Sequence, residues 1–198
     1  MAYSDFTLTS VKKKFNLKIS DRQNTFTQIP ELKPSDYLQE TLAYSVPYAL
    51  ASNTEKSRSE MIITPILLEI TRKFKQEISL FSGVDFTVEP ELGLNGNCDF
   101  LFSKSSEMLI INAPVLLIVE AKKENINAGL GQCIAEMYAA RIFNEREGNN
   151  INTIYGVVTT GEIWKFLPLE SDNIKIDLAE YFLNNLEKIL GILSSTLN

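Results

Sequence analysis

The sequence predicts a three-layer α/β domain: a central mixed β-sheet flanked by helices. Three observations lead there. Hydrophobic periodicities run helix, helix, three strands, helix, two strands, helix along the chain, the pattern of a sheet with helical crossovers. Residues 115–119 are apolar without alternation, as expected of a strand covered on both faces. With 198 residues, 44% of them hydrophobic, the chain is long enough for one packed core and short for two.

The elements follow in order. Residues 1–34 read as an N-terminal arm, closed by the Pro-spaced stretch "QIPELKPSDY", and residues 35–198 as the single domain. "SDYLQETLAYSVPYAL" reads as a capped helix interrupted around Pro47. "SRSEMIITPILLEITRKFKQ" reads as a second, longer helix that Pro65 kinks or delays, with Ile63, Ile66, Leu67, Ile70 and Phe74 as its apolar face. "VDFTVEPEL" and "NCDFLFS" form a hairpin about an Asn95-Gly96 turn signal, and "VLLIVEAK" follows as a central strand. "NAGLGQCIAEMYAARIFNERE" is helical, "IYGVVTT" and "EIWKFLPLE" are strands about a Gly, and "AEYFLNNLEKILGILSSTLN" is a terminal amphipathic helix.

Composition excludes several functions. A net charge of −6 argues against coating nucleic acid or anionic lipid by charge alone, so any nucleic-acid contact is local. The absence of His and two cysteines without CxxC spacing exclude the usual zinc sites and His-based triads. No window is apolar enough to span a bilayer, and the expectation is a reduced, soluble, cytoplasmic chain.

The chemistry concentrates in "PVLLIVEAKKE". Alternation puts Glu120 and Lys122 on one face of the strand and Ala121 on the other. An isolated Glu-x-Lys after an apolar run is most often a weak surface ion pair. Here Asp99 stands in a preceding strand, within reach of Glu120 across neighbouring strands. Two converging carboxylates repel unless a positive charge lies between them, and a hard divalent cation bound through oxygen meets that need: Mg²⁺, with Mn²⁺ as substitute. The Lys122 ammonium can then orient or deprotonate a water, or stabilise charge growing on a phosphoryl group.

The pattern "CDFLF…VLLIVEAKKE…GLGQ" resembles the PD-(D/E)xK nuclease superfamily, with Asp99, Glu120 and Lys122 at its Asp…Glu-x-Lys core. The likeness covers roughly residues 57–169. "SEMIITPILLEI" resembles the glutamate-bearing first helix, Gln132 the glutamine of the following helix, and "VVTTGEIWKF" the strand pair in the nuclease region of type I restriction enzyme R subunits. The resemblance implies a restriction-endonuclease-like fold and a Mg²⁺-dependent DNA endonuclease. It implies Asp99, Glu120, Lys122 and Gln132 as catalytic residues, and Glu60, Asp99, Glu120 and the Ala121 carbonyl as metal ligands. The sequence departs from the family at two places: Asn97-Cys98 replace the Pro before Asp99, and Glu136 stands one turn after Gln132, where a Tyr is common. Tyr138 lies about 240° from Gln132 around the helix and does not inherit that role.

Other residues have plainer readings. "SRSE" is also a capping box, which would use Ser57 and Glu60 on backbone groups, whereas Glu69 reads as a solvated helix residue. Trp164 reads as core packing, and Lys104, Lys123, Arg141 and Lys165 as surface charges unless they cluster near Asp99. The stripe Phe182, Leu186, Ile189 and Leu193 covers the domain or serves a homodimer. The expected partners are DNA and a second copy or partner protein, with no membrane. The rival expectation is an inactive module of the same fold that binds DNA or assembles with a protein.

Overall fold

The computed structural model describes residues 1–75 and 77–198. Among these residues the strands are β1 (Lys18–Ser20), β2 (Ser79–Asp85), β3 (Asn97–Ser103), β4 (Val115–Ala121), β5 (Thr153–Thr159), β6 (Ile163–Glu170), β7 (Asn173–Lys175) and β8 (Tyr181–Phe182). They form one open sheet in the order β1-β7-β6-β5-β4-β3-β2, with β8 added to β6. The sheet is mixed and mostly antiparallel; β4 with β5 and β1 with β7 are its parallel pairs. The helices are α1 (Leu8–Lys14), α2 (Asp36–Ser52), α3 (Glu55–Arg58), α4 (Thr64–Lys73), α5 (Ile126–Arg146) and α6 (Leu186–Ser195).

Helices cover both faces. Val11 of α1 and Ile134 and Met137 of α5 share one hydrophobic cluster with Val115, Ile118 and Val158 of the sheet. Leu38 of α2, Ile66 and Leu67 of α4, and Ile189 and Leu193 of α6 share another with Phe102, Leu117, Val119 and Phe166. This covering on both faces explains the apolar run Val115–Val119 of β4: every residue of the strand is buried, on one side or the other.

Several elements differ from the sequence reading. Helix α2 runs through Pro47 without interruption. The carbonyl that loses its donor belongs to Ala43, which is exposed and solvated, so the break is cheap. The second helix is one continuous path with a π-helical turn at Ser59–Ile63, just before Pro65. Pro65 cannot donate backward, and the Met61 carbonyl four residues earlier accepts the Ser45 hydroxyl at 2.6 Å. The far end of that predicted helix, Gln76, lies outside the described residues. The first strand of the hairpin is residues 79–85 rather than the stretch from Val84, and its connection is the longer loop 86–96. Glu69 is not solvated: its carboxylate accepts the Ser35 N–H at 2.7 Å and the Ser35 hydroxyl at 3.0 Å, steadying the start of α2.

The N-terminal residues pack on the body. Tyr3, Phe6, Val11, Phe15 and Leu17 are buried in the α5-side cluster, and β1 extends the sheet. A side chain at Gly131 of α5 would meet the Phe6 carbonyl at 2.3 Å, so that crossing requires glycine. At the other terminus, Ile189 and Leu193 are fully buried, so this stripe covers the sheet and leaves Phe182 as its exposed member.

Candidate functional site

The ends of β3 and β4 build the site. Their ladder pairs Leu101 with Ile118 and Phe100 with Val119, then stops. One step further, Asp99 takes over the work of the backbone: its Oδ2 accepts the Ala121 N–H at 2.8 Å. The other edge of β4 stays paired, Lys122 N–H donating to the Thr159 carbonyl of β5 at 2.8 Å. Asp99, Glu120, Ala121 and Lys122 are thereby brought to one sheet end, as the strand periods predict.

Glu120 is 1% exposed. Its Oε1 receives the Lys122 ammonium, while its Oε2 is buried and has no hydrogen-bond partner among the described residues. Burial, and then the charge of Asp99, push its pKa up to about 8 against the pull of Lys122. Burial works against the Lys122 ammonium, but the charge and hydrogen bond of Glu120, with the charges of Glu55 and Asp99, together raise its pKa. The stem of Lys122 lies across α5 at Gly129, where an added Cβ would meet its Cγ at 3.0 Å. That close approach is a local reason for the glycine of "GLGQ": a Cβ at position 129 would press on Val158 Cγ1, at 2.7 Å, as well as on the lysine stem.

Gln132, one turn after Ala128 on α5, joins the group. Lys122 Nζ donates to its Oε1 at 3.3 Å, and its Nε2 donates to Glu136 Oε1 at 3.0 Å. Glu136 is fully buried, its Oε2 without a partner among the described residues. Burial, and then the charge of Glu120, push its pKa well above the usual range. Tyr138 faces elsewhere, stacked on Phe15 with ring centroids 4.2 Å apart.

The first-helix carboxylates divide differently from expectation. Glu60 is exposed, 3.7 Å from Lys56. With Glu55, Ser59, Thr64 and Asp99 it lines an open cleft of about 290 Å³ beside the sheet end. The capping box belongs to Thr54 and Ser57, which exchange hydrogen bonds of 3.0 and 3.2 Å, so Glu60 is not spent on a cap. Glu55, which the sequence reading passed over, touches the site's main chain: its Oε2 accepts the Lys123 N–H at 3.1 Å. Thr54 followed three residues later by Ser57 was the signal that this helix starts at Glu55. Arg58 also escaped notice. Its buried guanidinium donates to the Thr160 carbonyl at 3.0 Å, to Glu162 at 2.8 Å and to Asn53 at 3.3 Å, tying α3 to the turn after β5.

Of the scattered basic residues, Lys123 alone adjoins the group through its sequence position. Arg141 pairs with Asp172 at 3.1 Å, and Lys165 donates to the Leu178 carbonyl at 3.2 Å. Trp164 is fully buried, its indole N–H on the Gly161 carbonyl at 3.0 Å. Both cysteines are free and buried.

Among the described residues, no three His, Cys, Asp or Glu side chains are grouped closely enough to hold a metal ion by themselves. No described helix is long and apolar enough to cross a membrane. In comparisons with known proteins, the chain matches no family model and no curated relative.

Proposed function

We propose that this chain is a Mg²⁺-dependent DNA endonuclease of the PD-(D/E)xK type, a restriction-endonuclease-like domain that hydrolyses phosphodiester bonds. The observation that carries the reading is Glu120: a buried carboxylate held by an ammonium on one oxygen, left without a partner on the other, and set beside Asp99. A fold gains nothing from that arrangement, whereas a cation site does.

The donor set fits Mg²⁺, with Mn²⁺ as substitute. Two carboxylates and a backbone carbonyl are all hard oxygen donors, and Mg²⁺ commonly takes only one or two protein carboxylates, completing its shell with water and substrate phosphate. Asp99, Glu120 and the Ala121 carbonyl would hold the ion, with Glu60 assisting from the cleft. When bound, it polarises the phosphoryl group and acidifies a water. Lys122, 20% exposed and anchored by Glu120 and Gln132, presents its ammonium to the attacking water or to the charge that develops on the phosphoryl oxygens. Gln132 orients Lys122.

Substrate affinity is local and low in this reading. Ile189 and Leu193 of α6 are spent on covering the sheet, and cations such as Lys56 and Lys123 are left to meet the phosphates. The net charge of −6 favours the rival reading, a non-hydrolytic module that binds DNA or assembles with a protein. The decisive test is incubation of the purified chain with linear, nicked, branched and single-stranded DNA in Mg²⁺ and in Mn²⁺. Cleavage that disappears in a folded Lys122→Ala variant is the expected result; a wild-type chain inert on every substrate overturns the proposal.

A further inference from the structure

We propose that Glu136 is a positioning residue: it fixes the Gln132 amide with its oxygen toward Lys122, and so holds the Lys122 ammonium against Glu120. The inference rests on the reading of Lys122 as the working cation of the site, but the geometry behind it stands whether or not the chain cleaves DNA.

A primary amide has unlike ends, an oxygen that accepts and a nitrogen that donates, and an ammonium can only donate. Gln132 therefore serves Lys122 in one orientation alone. Its Oε1 lies 3.3 Å from Lys122 Nζ, and its Nε2 donates to Glu136 Oε1 at 3.0 Å. A flipped amide would set its NH₂ against the ammonium and forfeit that contact, whatever partner its oxygen then found at Glu136.

Packing gives no other reason for an acid at position 136. The side chain is fully buried on α5, flanked in sequence by the equally buried Ala135 and Met137, and one of its oxygens has no partner among the described residues. An apolar residue there would remove a buried, half-satisfied polar group. Burial and the charge of Glu120 push the carboxyl toward its neutral form. A neutral carboxyl still accepts through its carbonyl oxygen, and it does not draw Lys122 away from Glu120.

The test compares Glu136→Gln, which keeps an acceptor oxygen, with Glu136→Leu and the length-matched Glu136→Met, which do not. In metal-free protein labelled with ¹⁵N-lysine, the Lys122 ammonium resonance is assigned by its loss in Lys122→Arg. It is expected in the wild type and in Glu136→Gln, and expected to broaden beyond detection in both apolar variants, whose melting temperatures stay level or rise. In the same apolar variants kcat for DNA cleavage should fall about fivefold to tenfold at unchanged KM, the scale of one lost hydrogen bond. The proposal is overturned if the resonance is absent from the wild type or survives in the apolar variants. It is equally overturned if Glu136→Gln behaves as the apolar variants do, or if both apolar variants fail to fold, since each assigns the residue another role. A wild type that does not cleave DNA removes the nuclease reading, while the resonance still decides the role of Glu136.

Discussion

Asp177 and Glu120 are both buried acids close to the sheet, and they are treated in opposite ways. Asp177 is fully buried, and each of its oxygens has a partner: Oδ1 accepts the Thr25 N–H at 3.0 Å and Oδ2 the Tyr181 hydroxyl at 2.8 Å. Burial and then this hydrogen bond push the Tyr181 hydroxyl pKa up. The acid thereby joins the loop around Thr25 to β8, and its desolvation is answered inside the fold. Glu120 is desolvated as completely but answered on one oxygen only, with Asp99 adding repulsion. A carboxylate that stabilises a fold is saturated; one kept for chemistry retains an open lone pair and a like-charged neighbour.

The comparison breaks most visibly at Asp177. Asp177→Ala strands a buried hydroxyl and a backbone N–H, and chemical denaturation should report a loss of about 3 to 5 kcal/mol, with no change in any metal-induced stabilisation. An equally stable variant would mean that Asp177 is not structural.

Lys122→Ala comes next. Loss of the ammonium should lower DNA cleavage by about 10²-fold or more, equivalent to roughly 2.7 kcal/mol of transition-state stabilisation, while the circular dichroism spectrum is retained. A decrease in KM-dependent binding alone, with kcat intact, would place Lys122 in substrate contact and not in the chemical step.

A third difference lies in pH dependence. The folded pKa of Glu120, about 8, stands above the ordinary 4.5 of the unfolded chain. The protonated form is therefore the one that folding favours, and its contribution is complete below about 4.5 and lost as pH rises through about 8. In metal-free buffer, stability should fall between pH 5 and pH 8.5 by on the order of 2 kcal/mol more in wild type than in Glu120→Gln. A slope unaffected by Glu120→Gln would contradict the assigned environment of Glu120.

The smallest effect is expected at Asp99. Asp99→Asn relieves repulsion of Glu120, although it weakens the contact with the Ala121 N–H, and should raise the melting temperature of metal-free protein by the equivalent of about 1 kcal/mol. The same substitution should abolish stabilisation by Mg²⁺ or Mn²⁺. Calorimetry showing equal metal-induced shifts in both proteins would remove Asp99 from the site.

The sequence by itself determined the parts that depend on short-range periodicity. Period-2 alternation paired Glu120 with Lys122, the unbroken apolar run marked β4 as central, and the resemblance carried by "GLGQ" pointed to Gln132. The core face of α4 was legible for the same reason, and so was the burial of Trp164. What depends on distant neighbours was not legible. Strands β1, β7 and β8 are too short to carry a pattern and exist because a sheet edge offers them partners. Pro47 could stay in a helix only because Ala43 faces solvent. Glu69 became a bonded residue only because Ser35 lies beside it in space. In the sequence Glu136 stands out only as the residue one turn after Gln132. Only the packing of α5 against β4, with glycine at position 129 to admit the lysine stem, buried that side chain one hydrogen bond away from the residue that holds Lys122.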